Sequence, residues 1–263
     1  MKTLYVALTV LTYNVHGLNH WLVSDDPEAR MGQISSRLDA YDVALVQESW
    51  TYWDALASHA THPVRERGNG PDPGAFFQSG LATFARLPLR AVSRGSLGAC
   101  AGWLGGANDC FADKGYLRVR LRLAPGMDVD FWNLHLDAGE SDADRSAREK
   151  QLANLAQRIR TLSGDGPLVV AGDFNSEASN PADAALLSRF VTEVGLRDTG
   201  ARSDPQGAFA HKEIDYVFVR DGRGIGFEVV RAGEAGEFVA GGKPLSDHPA
   251  LRARLRVTRV SAP

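Results

Sequence analysis

Apolar positions along this chain come in short runs, and most of the runs end in polar residues. Pro167-Leu168-Val169-Val170-Ala171-Gly172-Asp173-Phe174-Asn175 sets the pattern. An apolar run of this length, bounded by Pro and Gly, predicts a buried strand. Side chains alternate along a strand, so Asp173 and Asn175 are expected on one face at its exposed end, with Phe174 turned into the core. A carboxylate beside an amide there suits a bound phosphate and a hard cation, although the same two residues also form ordinary turns. The arrangement recurs. Thr9 to Val15 reads as a strand ending in Asn14 and His16, and Asp42 to Glu48 as one ending in Gln47 and Glu48. Val129 to Leu136 carries His135 at its end, Ile214 to Val219 carries Asp215 at its start, and Asp247-His248 sits in the turn before a last strand, Leu251 to Val260.

Between these strands the period lengthens to that of helices. Asp26 is a suitable N-cap, Pro27 fits a first helical position, and Met31, Ile34 and Leu38 form a stripe. Ser141 to Leu162 predicts a helix burying Leu152, Leu155, Ala156 and Ile159, closed by Gly164. Asn180 to Val194 predicts another, with Leu186, Leu187 and Phe190 inward. Ser79 to Phe84 and Phe227 to Val230 read as further strands. Leu117 to Leu123 alternates leucine and valine with Arg118, Arg120 and Arg122, the pattern of a half-exposed strand whose arginines face water. Residues 58–80 and 93–115 are rich in Gly and Pro and read as long loops, which in compact domains are often functional.

Composition narrows the picture. The chain has 263 residues, 44% of them hydrophobic, which is read as one domain spanning 1–263. No apolar stretch reaches the length of a membrane-spanning helix. A formal net charge of -3 is not that of a protein built to grip nucleic acid without specificity. The first ten residues have the look of a secretory signal, but they run straight into the first strand and are read as part of it. Cys100 and Cys110 share one loop; a disulfide and two free thiols both fit, and a zinc site does not, for want of sulfur ligands.

Asn14, Glu48, His135, Asp173, Asn175, Asp215, Asp247 and His248 thus stand at the ends of separate strands, where a sheet would bring them to one cleft. The segments that carry them are Thr12-Tyr13-Asn14-Val15-His16-Gly17, Gln47-Glu48, Asn133-Leu134-His135-Leu136, Gly172-Asp173-Phe174-Asn175, Ile214-Asp215-Tyr216 and Ser246-Asp247-His248. In order and spacing over nearly the whole chain, they resemble the endonuclease/exonuclease/phosphatase superfamily of metal-dependent phosphodiesterases. The resemblance implies a four-layered α/β sandwich, two stacked mixed β-sheets flanked by helices. Ser79-Gly80-Leu81, Ala85-Arg86-Leu87-Pro88 and Asp113-Lys114-Gly115-Tyr116 are similar to motifs of the neutral sphingomyelinase branch. Asp109 and Lys114 match the spacing of an Asp–Lys pair in the loop that gates such enzymes. The chain departs from that branch between Asp215 and Asp247, where there is no tryptophan to tip a membrane-entering hairpin.

What the resemblance implies for the site can be stated residue by residue. Asn14, Glu48, Asp173 and Asp247 are expected around Mg²⁺, or Mn²⁺ or another divalent cation. His248 would take a proton from the attacking water, oriented by Asp215. Asn175 and Asp173 would hold the phosphate and the water, and His135 would contact the phosphate and protonate the leaving oxygen. Asp109 and Lys114 would meet the substrate. The expected activity is that of a sphingomyelinase-like phospholipase C, and a deoxyribonuclease-type nuclease needs the same core. A non-catalytic binding module would have lost part of the acid and histidine set, which is complete here. The expected partner is a phospholipid, with peripheral membrane contact, nucleic acid less favoured, a monomeric state, and a secreted or periplasmic location. Phe76, Phe77, Trp103 and Phe111 in the loops are candidates to face a lipid.

Overall fold

Central strands buried on both faces and helices buried along one stripe sort the chain into layers. The computed structural model describes residues 3–21, 26–68, 78–102, 109–201 and 213–260. In chain order its elements are β1 (Thr3–Asn14), α1 (Pro27–Leu38), β2 (Val43–Gln47), α2 (Trp53–Ala57), β3 (Val64–Arg67), β4 (Ala82–Ala85), β5 (Leu89–Ser96), β6 (Gly115–Ala124) and β7 (Met127–His135). There follow α3 (Asp142–Leu162), β8 (Leu168–Asp173), α4 (Pro181–Val194), β9 (Arg197–Asp198), β10 (Asp215–Arg220), β11 (Ile225–Glu234), β12 (Val239–Ala240), β13 (Lys243–Pro244) and β14 (Leu251–Val260).

Two six-stranded sheets result, in the orders β11-β14-β1-β2-β4-β3 and β5-β6-β7-β8-β10-β9. Each has a parallel pair at its centre, β1 with β2 and β7 with β8, flanked by antiparallel neighbours. Three apolar cores separate four layers. Leu8, Val10, Val43, Leu45, Phe131, Val169 and Val217 fill the space between the sheets. Trp132, Leu134, Leu155, Ile159, Phe190 and Phe218 pack the second sheet against α3 and α4. Leu11, Tyr13, Met31, Ile34, Leu38 and Phe84 pack the first sheet against α1 and α2. Each buried aliphatic side chain contributes about 1.5–3 kcal/mol, so these cores supply the main drive for the fold.

The helix ends follow local chemistry. The Asp26 carboxylate accepts from Ala29 N, with Pro27 in the first turn. Ser141 and Asp144 form a reciprocal capping box at α3. Asn180 caps α4, which ends at Gly195 in the left-handed conformation.

Two expectations from the sequence need correction. The stretches read as loops contain strands, β3 inside 58–80 and the end of β5, Ser93 to Ser96, inside 93–115, both edge strands whose half-exposed residues lack a strong apolar signal. The arginines of β6 are not a solvated row. Arg118 and Arg120 both grip the buried Asp130 and reach the last carbonyl of α3, Leu162 O, while Arg122 pairs with Asp128. A helix C-terminus favours cations, and the acids opposite them on β7 supply the countercharge. Trp103, Phe76 and Phe77 lie outside the described residues, as does the side chain of Asp109.

Candidate active site

Several strands change character on their inward face toward one end of the sandwich. β1 runs Val10, Thr12, Asn14; β7 runs Phe131, Asn133, His135; β8 runs Val169, Ala171, Asp173. β10 arrives from the opposite direction with Asp215 directly beside Asp173. Parallel pairing sets Asn14 beside Gln47 and His135 beside Asp173, so the C-terminal ends of both central pairs deliver polar groups to one place.

The groups meet within hydrogen-bonding reach. Asn14 Nδ2 lies 3.0 Å from Glu48 Oε1 and 3.0 Å from Asp173 Oδ2, and so bridges acids from the two sheets. His135 Nε2 is 3.6 Å from Asp173 Oδ2, 3.9 Å from Glu48 Oε1 and 3.4 Å from Lys114 Nζ. His248 Nδ1 bonds Asp215 Oδ2 at 2.7 Å, and its Nε2 faces Asp173 Oδ2 at 3.7 Å. At the rim, His16 Nδ1 bonds Asp247 Oδ2 at 2.9 Å. The floor is dry: Asn14, Asp173, Asp215, His135 and Lys114 are all buried, whereas the Asp247 side chain is 50% exposed.

The backbone turns sharply where these strands end. His16, Glu48 and Asn175 have φ of 48°, 59° and 46°, a left-handed conformation that ordinary residues adopt at a cost. Two of the turns are built alike. Asn14 Oδ1 accepts from His16 N, and Asp173 Oδ1 accepts from Asn175 N, each two residues on. The expected sharing of a face by Asn14 with His16, and by Asp173 with Asn175, therefore stops at the strand ends. Instead His16 turns to Asp247, and Asn175 Nδ2 donates to Leu136 O. Gly17 is required here, because a Cβ would sit 2.1 Å from Glu48 O, the acceptor of its own N–H.

Two residues without an assigned role in the sequence hold the rim. Arg30 of α1 donates to Val15 O, His16 O and Leu245 O, joining the exit of β1 to the loop before His248. Ser246 Oγ donates to Asn14 O and accepts from His248 N. Arg30 was detectable in principle: four residues before Ile34, it lies on the apolar stripe of its helix.

Charge at the floor is unbalanced. Three carboxylates, Glu48, Asp173 and Asp215, gather in one place where the nearest lysine is Lys114, against His135. Burial raises the pKa of Glu48, only partly opposed by the Asn14 amide. Burial also raises that of Asp215, against the pull of His248. Burial works against a charged His248 ring, but Asp215 and Asp173 raise its pKa well above the usual imidazole value. His135 is pushed the other way, by burial and then by Lys114 and His248, and is held neutral. Asp247 resists burial through its bond to His16 and falls to about 2. Asp215 Oδ1 is buried and accepts no hydrogen bond. Oxygen donors in excess of cations, one of them unsatisfied, fit a hard divalent ion. One oxygen each of Asp173 and Asp215 and a nitrogen of His248 lie within 4.8 Å of one another. Every sequence-predicted site residue with a described side chain is in or beside this cluster; Asp247 stands at its rim.

The sequence profile of the Endonuclease/Exonuclease/phosphatase family matches residues 11–248. A sphingomyelinase of Mycobacterium bovis (strain ATCC BAA-935 / AF2122/97) is 29% identical over 262 residues, covering 91% of this chain and 51% of that protein; one of Mycobacterium tuberculosis (strain ATCC 25618 / H37Rv) matches equally. The chain thus spans about half the length of the curated relatives it matches. Among solved structures, sphingomyelinase C from Streptomyces griseocarneus superposes with a TM-score of 0.74 at 18% identity, covering 95% of this chain and 99% of that one. A mutant beta toxin from Staphylococcus aureus with bound magnesium ions gives 0.73 at 17% identity, with coverage of 95% and 99%.

Proposed function

This chain belongs to the endonuclease/exonuclease/phosphatase family, and from that premise we propose that it is a divalent-cation-dependent phosphodiesterase acting on a phospholipid, a sphingomyelinase-like phospholipase C. The observation that carries the reading is the His248–Asp215 pair, 2.7 Å apart, facing the buried Asp173, which Asn14 joins to Glu48. Asp215 fixes Nδ1 of the ring and leaves Nε2 to take a proton from the attacking water. Asp173 lies beside both rings and holds that water. Asn175 spends one amide N–H on Leu136 O and keeps another for a phosphoryl oxygen. Lys114, against His135, brings positive charge to the same oxygens. His135, between Lys114 and Asp173, is assigned to phosphate contact and to protonation of the leaving oxygen.

Glu48, Asn14, Asp173 and Asp215 are the residues that would hold Mg²⁺ or Mn²⁺, and Asp247 would close the site from the rim. When bound, such an ion polarises a phosphoryl oxygen and offsets the charge that develops on it.

Support for a lipid comes from the mycobacterial and streptomycete relatives, from the net charge of -3, and from the surroundings of the cleft. Trp21, in the connection from β1 to α1, is 82% exposed and lies tilted against the ring of His20, whose backbone N–H donates to Tyr52 Oη at 3.0 Å. An aromatic side chain so placed suits the boundary between water and lipid. The purified chain should be assayed with Mg²⁺ on sphingomyelin, other phospholipids, plasmid DNA and inositol phosphates. Release of a phosphorylated head group, abolished by a chelator, is expected. Nicking of DNA at physiological salt with no head group released would replace the lipid reading with a nuclease.

A further inference from the structure

Beneath the site floor lies a second polar layer that the chemistry above does not use. Thr12 of β1, Gln47 of β2 and Asn133 of β7 are fully buried, each on the inward face next to an apolar neighbour of the inter-sheet core. Asn133 belongs to the second sheet, yet its Nδ2 donates to Val46 O at 3.0 Å and to Ala82 O at 2.9 Å, carbonyls of two strands of the first sheet. Its Oδ1 accepts from Gln47 Nε2 at 2.7 Å. Gln47 Nε2 also lies 3.2 Å from Thr12 Oγ1 and 3.1 Å from Leu45 O. Val46 and Ala82 face each other as the last paired residues of β2 and β4, so Asn133 seals that ladder at the end where the site begins.

We propose that Asn133 and Gln47 are positioning residues that lock the two sheets in register directly under the site, and so set the spacing between Glu48 and Asn14 on one sheet and His135, Asp173 and Asp215 on the other. Below this layer the facing interior of the sheets is aliphatic and aromatic, and other polar contacts between the sheets, such as Arg94–Glu66, Arg197 to Phe227 O and Arg259 to Pro125 O, lie outside that interior. Apolar contacts hold sheets together but are non-directional, and do not fix sliding to a fraction of an ångström. A site gripping one cation and one phosphate from both sides needs its donors held within about 0.5 Å. The three hydrogen bonds that Asn133 makes across the sheets are directional, buried from water and one or two residues from the groups they place. Gln47 precedes Glu48, and Asn133 precedes His135 by one strand repeat. The amide is suited to this place because it offers two donors and an acceptor without adding charge to a floor already rich in acid.

The inference rests on the phosphodiesterase reading only for its activity arm, so the test carries two others. Gln47→Met keeps both bonds from Asn133 to the backbone and removes the side-chain bond; Asn133→Leu removes all three. In the cation-free protein, the ring resonances of His135 and His248 are compared with wild type by NMR. Mn²⁺ affinity is measured by electron paramagnetic resonance, and kcat and KM on whichever phosphodiester the wild type cleaves. Gln47→Met is expected to fold, to shift the His135 resonances, and to lose about 10–100-fold in Mn²⁺ affinity, the range seen when residues supporting a metal's ligands are changed. Its kcat should fall with KM little altered. Asn133→Leu should lose more on each measure. Variants that melt earlier but keep wild-type His135 resonances and bind Mn²⁺ within twofold of wild type would show the layer to be packing alone and overturn the proposal. A wild type that binds Mn²⁺ but cleaves no phosphodiester would defeat the functional reading instead, while the resonance and Mn²⁺ arms still decide this one.

Discussion

His248 Nδ1 lies 2.7 Å from Asp215 Oδ2, and the two residues come from segments on opposite sides of the sandwich interior, β10 in one sheet and the loop entering β14 in the other. The carboxylate fixes which ring nitrogen faces the cleft. It also raises the affinity of the ring for a proton.

Asp215→Asn is therefore expected to act twice. Without the carboxylate, the pKa of His248 falls, so the acidic limb of the kcat profile moves to lower pH. With the tautomer no longer fixed, kcat at the optimum drops roughly 10²–10⁴-fold. A pH–rate profile whose acidic limb stays in place would remove His248 as the base. The same pair has a stability signature in the cation-free protein. Since the folded pKa is raised above 6.5, its contribution is complete below that value and fades as the pH rises through the folded one.

Glu48 should show the opposite sign. Its pKa is raised by burial, so above its ordinary value near 4.5 the charged form costs stability, and the cost disappears as the pH falls through the folded pKa. At pH 7 without divalent cations, Glu48→Gln should melt higher than wild type. The gain should vanish toward pH 4. Added Mg²⁺ should raise the melting temperature of wild type but not of the variant, and the variant should lose at least about 100-fold in activity. Equal stabilisation of both proteins by Mg²⁺ would take Glu48 out of the ligand set.

Arg30 ties two loops of the rim through three backbone carbonyls while itself buried. Arg30→Met keeps the bulk of the stem and strands those carbonyls. A loss of about 2–4 kcal/mol in urea unfolding is expected, the cost of breaking charge-assisted bonds to buried groups. Activity should fall further than stability explains, because His16 and His248 lose a common anchor. Unfolding curves and rates measured on one preparation check both halves.

Cys100 and Cys110 are bridged, with a sequence separation of 10. The staple lies between Ala101, whose N–H bonds the buried Asp137 carboxylate at 2.6 Å, and the segment leading to Lys114. Chain-entropy arguments give a loop of this length about 3 kcal/mol. Cys100→Ser with Cys110→Ser should lose stability of that order and some activity through Lys114. An unchanged urea midpoint would mean that the loop is held by its hydrogen bonds alone.

Much of this architecture could be read from residue order. The strand ends at Asn14, Glu48, His135, Asp173 and Asp215 stood out because short apolar runs begin or stop there in acids, amides or imidazoles, an expensive choice unless something pairs with them. Helices α1, α3 and α4 were legible to their caps because Asp26-Pro27, Ser141 and Asn180 announce themselves by local chemistry, whereas the short, uncapped α2 went unread. What escaped notice is non-local. Edge strands β3 and β5 bury too little to carry a clear pattern. Arg118 and Arg120 looked solvated because the acid and helix end that neutralise them lie elsewhere in sequence. The left-handed turns at His16 and Asn175 redirected side chains that simple alternation would have left on a shared face. Arg30 hid in a helix whose other signals were apolar.

The register of β1 on β14 has a consequence for how the molecule comes into being. Thr3 pairs with Val260 and Thr12 with Leu251, so one central strand of the first sheet has its neighbour about 240 residues away. Closing so long a loop is slow compared with local helix or hairpin formation. During synthesis the β1–β2 pair, with Asn14 and Glu48 at its tip, must wait with one flank of β1 unpaired until the last strand is available, a template for joining another chain. The half of the cleft formed by Asn14 and Glu48 is therefore expected to mature late, well after β6, β7 and β8 have gathered His135 and Asp173. Pulse-labelled hydrogen exchange during refolding should protect the amides of β7 and β8 before those of β1.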